Sequence, residues 1–359
     1  MTHVDGETIQ GGYVIFDVMQ KVQPDFALFQ GDMIYADGPI PLTKPIPADV
    51  GGGTWMNDPA KDFVAITLDD FRANWKYNLG DEKMARFLRN TPIYVQWDDH
   101  EVSNNWYPGE IMPENAPYYG IEADVLAERA KQALLEFNPI KGATLYHSVQ
   151  HGKHLELFLL DERTYRDANP NNYDPDGIEM LGQQQLAWFK QSLENSTATW
   201  KVISSHDPLG IVTGGQADRD SWGQEKDAVL GREVQLAEIL KFIKDKNIKN
   251  VVFLTSDVHF TAAVSYAPAR AEFMDFNPFW EFVIGPIHAG AFGPGALDAS
   301  FGPQYEYVRG PATEGIGQNS PPPHLQSFGL VEVSSDGQLG VKLMDISGAI
   351  LFEKKMLPM

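Results

Sequence analysis

The chain has 359 residues, 43% hydrophobic and 11% aromatic, with 49 acidic against 28 basic residues, a formal charge of −21 and no cysteine. That composition excludes a disordered chain, a disulfide scaffold, a thiolate metal site and a cysteine nucleophile. The negative charge argues against a basic nucleic-acid-binding surface, and no apolar run is long enough to span a bilayer.

In chain order, the first twenty residues lack the basic stretch, apolar core and small-residue cleavage site of a secretory signal. Residues 12–23 then place Ile15, Val18, Met19 and Val22 on one helical face. Phe26 to Phe29 read as a short buried strand closed by Gly31, and Ile93 to Trp97 repeat the pattern. A helix is predicted over 121–137 from its stripe of Ile121, Val125, Ala130, Ala133, Leu134 and Phe137. LELFLLDER, WKVISSHD, NVVFLTSDVH and WEFVIGP read as further strands. Helices marked by Leu186, Phe189 and Leu193, and by Leu236, Ile239, Leu240 and Ile243 within 232–246, separate them.

Such alternation predicts an α/β protein with largely parallel strands. The tail reads differently: SFGLVEV, QLGVKLMDI and AILFEKKM, separated by SSDG and SG, predict an antiparallel β meander completing a sheet. Residues 1–359 are expected to form a single domain. Residues 38–62 and 285–323 are rich in glycine and proline and read as long loops flanking a site, the second without any regular element.

The chemistry lies where strands end. FALFQGDMIYAD, YVQWDDHE, LFLLDER and VFLTSDVH each close a strand with oxygen or nitrogen donors. Carboxyl ends of parallel strands share one edge, so Asp32, Asp98, Asp99, His100, Asp161, Asp257 and His259 are expected to converge. A single Asp after a strand is ordinarily a turn former or helix cap. Four such turns favouring one ligand chemistry point to cations among them, with Ca, Mn, Fe or Zn as candidates. No G-x-S-x-G elbow, phosphate loop or dinucleotide fingerprint is present, and HEVSN (100–104) departs from H-E-x-x-H at Asn104. Hydrolysis by a metal-activated water is the reading that remains.

GDMIYAD (31–37), QWDDHEVSNNWYPGE (96–110), LDERTYR (160–166), TSDVHFTAA (255–263) and DFNPFWEFVIGPIHAGAFGP (275–294) resemble the PhoD-like alkaline phosphatases among the calcineurin-like metallophosphoesterases. The resemblance implies a four-layer α/β/β/α sandwich and hydrolysis of small phosphate esters, monoesters or diesters. It also implies an exported protein and a centre of Fe3+ with Ca2+, Mn or Zn being other possible occupants. By the same resemblance Asp32 bridges the metals, Tyr35 is a phenolate ligand of the ferric ion, and Asp257 and His259 form the final ligand pair. Asp99 stands where related enzymes place a metal-binding Asn, and His100 is the acid beside the leaving group. Asn105 is assigned to metal or phosphate oxygen, with Asn104 as the alternative. Arg163 has two readings, a phosphate clamp or a structural pair with Asp161 or Asp167, and His206 is a possible supporting residue.

The family's cysteine ligand of iron has no counterpart here. The initial strand that ends in its first metal-binding Asp also has none, since no apolar strand precedes Gly11 and Asp5 lies in a polar segment. The domain is therefore expected to be N-terminally incomplete. The alternative function is a weakly active or inactive member that binds phosphate esters or metal.

Overall fold

The computed structural model describes residues 2–4, 7–9, 12–45, 53–56, 61–142, 144–216, 218–311 and 325–359. The chain divides into two compact units, 1–141 and 142–359.

The first unit opens with β1 (Thr2–Val4) and β2 (Glu7–Ile9), an antiparallel pair in the register Thr2↔Ile9. The sequence reading placed no strand there; Asp5 lies outside the described residues. Next come α1 (Ile15–Lys21), β3 (Ala27–Gln30), β4 (Thr43–Pro45) and β5 (Thr54–Met56). They are followed by α2 (Leu68–Leu79), α3 (Glu82–Asn90), β6 (Ile93–Gln96) and α4 (Ala123–Phe137). β4 and β5 pair antiparallel within the stretch expected to be one open loop. β3 and β6 pair in parallel from Ala27↔Ile93 to Gln30↔Gln96, so their carboxyl ends lie side by side. Phe16 of α1 meets Phe29 of β3 and Phe87 of α3 at ring-centroid distances of 6.1 and 5.4 Å, and thereby seats two helices on this strand pair.

The second unit begins with β7 (His147–His151), β8 (Leu155–Leu159), α5 (Gly182–Asn195) and β9 (Trp200–Ser204). The short pair β10 (Gly214–Gly215) and β11 (Asp218–Arg219) precedes α6 (Glu233–Asp245). Then follow β12 (Val251–Thr255), β13 (Thr261–Tyr266), β14 (Phe279–Val283) and β15 (Pro303–Arg309). β16 (Ser327–Val333), β17 (Leu339–Asp345) and β18 (Ile350–Met356) end the chain.

Seven strands form one sheet in the order β15-β13-β14-β12-β9-β8-β7. It is mixed, not largely parallel: β8, β9, β12 and β14 run in parallel, while β7, β13 and β15 are antiparallel to their neighbours. Leu186, Phe189 and Leu193 of α5 and Leu236, Ile239, Leu240 and Ile243 of α6 share one apolar core with Phe158, Ile203 and Phe253 of the sheet. The meander β16-β17-β18 is antiparallel as predicted, but it forms its own three-stranded sheet. The Trp200 indole donates to the Gly337 carbonyl at 2.7 Å and ties the meander's first turn to β9. β15 corrects the expectation of no regular element in 285–323. Its Gln304-Tyr305-Glu306-Tyr307 run alternates as a strand should and pairs along β13.

No helix among the described residues is long and apolar enough to cross a membrane.

Candidate metal centre

In the first unit the site is built on the turns after β3 and β6. Gly31 has φ +84°, and a Cβ there would lie 2.2 Å from that of Asp98, so only glycine lets the two turns approach. Asp32 follows with φ +52°, a left-handed conformation that surrounding contacts must hold in place. Those contacts come from Glu101, 1% exposed, whose carboxylate accepts the backbone N–H groups of Asp32, Met33, Ile34 and Asp98 at 2.7–3.3 Å.

Asp99 is also buried, and its carboxylate accepts the N–H groups of His100 and Asn105, both at 2.7 Å. His100 Nδ1 donates to Asp37 Oδ1 at 2.8 Å, while Asp37 Oδ2 accepts the N–H of Asn104 at 2.9 Å. That pairing leaves Nε2 as the nitrogen with a proton to give. The Tyr35 ring stacks on the His100 imidazole at 4.2 Å and 30°. Asp32, Asp99 and His100, chosen from two separate motifs, each offer a donor atom within 4.8 Å of the others.

Burial works against protonation of His100, but the charges of Asp99 and Asp32 and the bond to Asp37 outweigh it and push its pKa up to about 11. So much negative potential around one imidazole calls for a positive charge. The carboxylates of Asp32 and Asp99 suit a hard or borderline cation, so these donors fit the metal that the resemblance implies, with His100 beside it as a proton donor.

In the second unit, Asp257 and His259 lie in the turn after β12 with φ of 64° and 54°. The turn is held by Ser256 N–H on the His206 carbonyl at 3.0 Å and by Val258 N–H on that of Ser256 at 2.8 Å. The His259 ring stacks on Phe292 at 5.0 Å and 30°, and its carbonyl accepts the Phe292 N–H at 3.1 Å. Asp257 groups with Asp207 and Asp220, their oxygens within 4.8 Å of one another.

Asp207 and Asp220 also anchor a buried ion network. Both terminal guanidinium nitrogens of Arg163 donate to Asp220 at 2.8 Å, and Arg166 binds both carboxylates. Arg163 is 0% exposed and its fork is engaged, which makes it a structural residue and not the open phosphate clamp. The fork meets Asp220 and, at 3.4 Å, Asp207, while the backbone N–H of Arg163 donates to Asp161 at 3.3 Å. Asp161 follows the end of β8, and its carboxylate accepts the Arg163 and Thr164 N–H groups and the Thr164 hydroxyl within its own turn. His206 is fully buried, and its Nε2 accepts the Glu162 N–H at 3.1 Å.

Sequence reasoning missed Asp37, Glu101, Asp207 and Asp220. Asp37 and Glu101 stood inside motifs already singled out, where an acidic residue beside a ligand was the available signal.

The sequence pattern of the PhoD-like phosphatases matches residues 4–338. Alkaline phosphatase D of Bacillus subtilis (strain 168) is 31% identical over 272 residues, which is 69% of this chain and 43% of that protein. The chain thus spans less than half the length of this curated relative. A solved structure titled "Structure of PhoD" has the same fold, with a TM-score of 0.68 at 24% identity over 97% of this chain and 69% of the other. With the family pattern running through the turns after β3 and β6 in the first unit and the Asp257–His259 turn of the second, this chain belongs to the PhoD-like phosphatase family.

Proposed function

We propose that the protein hydrolyses phosphate esters in a metal-dependent reaction. The observation that carries this reading is the gathering of Asp32, Asp99 and His100 on adjacent strand ends, in a chain of this family. Asp32, Tyr35 and Asp99 are the proposed ligands in the first unit, and Asp257 and His259 in the second. Fe3+ with Ca2+ is the proposed occupancy, on resemblance, with Mn or Zn as substitutes. When bound, the metals supply Lewis acidity and positive charge toward a phosphoryl group.

The protein's own residues do the rest. Asp37 holds the imidazole through Nδ1, so His100 keeps its transferable proton on Nε2 and delivers it to the departing alkoxide. Asp99 fixes the backbone of Asn105, whose side chain is the proposed contact to a phosphate oxygen. A four-layer sandwich acting as one phosphoesterase domain over residues 1–359 belongs to the same proposal. So does export of the protein. Relatives' names support a phosphatase and leave monoester against diester to the assay.

The test combines elemental analysis of the purified chain with hydrolysis of p-nitrophenyl and bis-p-nitrophenyl phosphate. Asp32→Asn and His259→Ala are each expected to lower bound metal and turnover together. Unchanged metal content in both variants overturns the assignment.

A further inference from the structure

Resting on that reading, we infer that Glu101 is a positioning residue, the built-in anion that fixes the metal-ligand turns after β3 and β6. Four backbone N–H groups converge on its carboxylate. Oε1 accepts Met33 at 2.7 Å and Ile34 at 3.3 Å; Oε2 accepts Asp98 at 2.7 Å and Asp32 at 3.0 Å. Two of these donors belong to Asp32 and to the residue before Asp99.

The arithmetic of lone pairs separates Glu101 from the ligands. An ionised carboxylate has about four acceptor positions, and here all four face N–H donors. Glu101 therefore has no oxygen left for a cation, even though it is buried beside the site. Burial and the Asp32 and Asp98 charges push its pKa up to about 8. Yet four N–H donors leave no acceptor position for a carboxyl proton. The carboxylate form is therefore the one that fits the nest and holds Asp32 in its left-handed conformation at φ +52°. One side chain thereby joins two turns 67 residues apart, Ile34 and Glu101 marking the span.

Glutamine has the same shape but replaces one oxygen with an NH2 group. Either flip of the amide turns donors toward two of the four N–H groups. The turns then separate, and Asp32 loses its aim. Partners behind metal ligands typically change metal affinity by about 10–100-fold when substituted.

The experiment titrates Mn2+ calorimetrically into the metal-free full chain, wild type and Glu101→Gln, and records metal-free melting and amide exchange. The expected result is roughly 10–100-fold weaker Mn2+ binding, with faster exchange at Asp32, Met33, Ile34 and Asp98. A purely structural role would lower melting and leave Mn2+ affinity within twofold of wild type, and that result overturns the inference. If Glu101→Gln does not fold, Glu101→Asp decides. It keeps the charge but is one methylene shorter, so weaker Mn2+ binding supports the positioning role and wild-type affinity overturns it. Absence of Mn2+ binding by the wild type overturns the metal reading and this inference with it. Wild-type binding with unaltered variants overturns this inference alone.

Discussion

Asp220→Asn tests whether the buried ion network of the second unit is structural. Asp220 is 1% exposed and accepts Arg163 twice at 2.8 Å, Arg166 at 2.6 Å and Asn169 at 3.1 Å. The substitution keeps the volume, deletes the charge, and turns an NH2 group toward two guanidinium groups that have no access to water. Asp207 then remains the one carboxylate bonded to both Arg163 and Arg166 among the described residues. Removing one partner from a buried pair costs about 3–5 kcal/mol, because the other charge stays desolvated. In a unit of 218 residues (142–359), at about 2–4 °C per kcal/mol, the melting temperature is expected to fall by roughly 6–20 °C. Calorimetry at pH 7 measures it. The pH dependence supplies a second check. Burial alone would raise the Asp220 pKa, but Arg163 and Arg166 hold it well below the usual carboxylate range. A folded pKa below the unfolded one gives stability that is complete above the unfolded value of about 3.9 and lost as pH falls toward the folded value. The gap between wild type and Asp220→Asn is thus constant from neutral pH down to about 5 and narrows in acid. A difference under about 1 kcal/mol at pH 7, or an equal gap at pH 3, would refute the reasoning.

Asp37→Asn removes the charge and one of the two acceptor oxygens that serve His100 Nδ1–H and the Asn104 N–H, so turnover of alkyl phosphates is expected to fall about 10²-fold or more, and that of p-nitrophenyl phosphate much less. Loss of a neighbouring carboxylate lowers the raised His100 pKa, so the alkaline limb of the kcat profile should move to lower pH; equal losses for both leaving groups would count against His100 as the acid. Gly31→Ala meets the Asp98 Cβ and a left-handed φ together, and is expected to cost about 2 kcal/mol or more in urea melts and to weaken metal binding. A wild-type midpoint would show that the turns tolerate separation.

Much of the sheet was legible because buried strands announce themselves as apolar runs. β3, β6, β8, β9, β12 and β14 all fall on such runs, and β3, β6, β8 and β12 are the four read as ending in donors. Strand direction was not legible, since an apolar run has no sign. β13 was not read as a strand at all, and its antiparallel ladder with β14 is a finding of the structure. α2 and α3 were missed for a different reason. α2 buries little beyond Phe71, Asn74 and Trp75, which is a weak stripe, and α3 has its stripe of Met84 and Phe87 confined to a single turn of a nine-residue helix. The capping box of Thr67 with Asp70 was the available sign of α2.

The site divides along the same line. Ligand candidates are legible because each follows a strand, and the structure adds that Asp32, Asn105, Asp257 and His259 all have left-handed φ. Such residues cost about 1–3 kcal/mol each and persist only when other contacts over-determine them. Those contacts come from far along the chain: Glu101 holds Asp32, the His206 carbonyl holds the Asp257 turn, and Phe292 packs against His259. Glu101 at least stood beside a ligand candidate in a motif already singled out, whereas the His206 carbonyl and the Phe292 ring carry no distinctive sequence signal, because a supporting carbonyl or ring is defined by what it touches. Arg163 shows the converse. Its position in a ligand-bearing motif suggested phosphate, while a buried Asp 57 residues away had already engaged its fork. Residue type and strand position therefore identify which atoms a cation would meet. The long-range hydrogen bonds decide which of those atoms are still available to meet it.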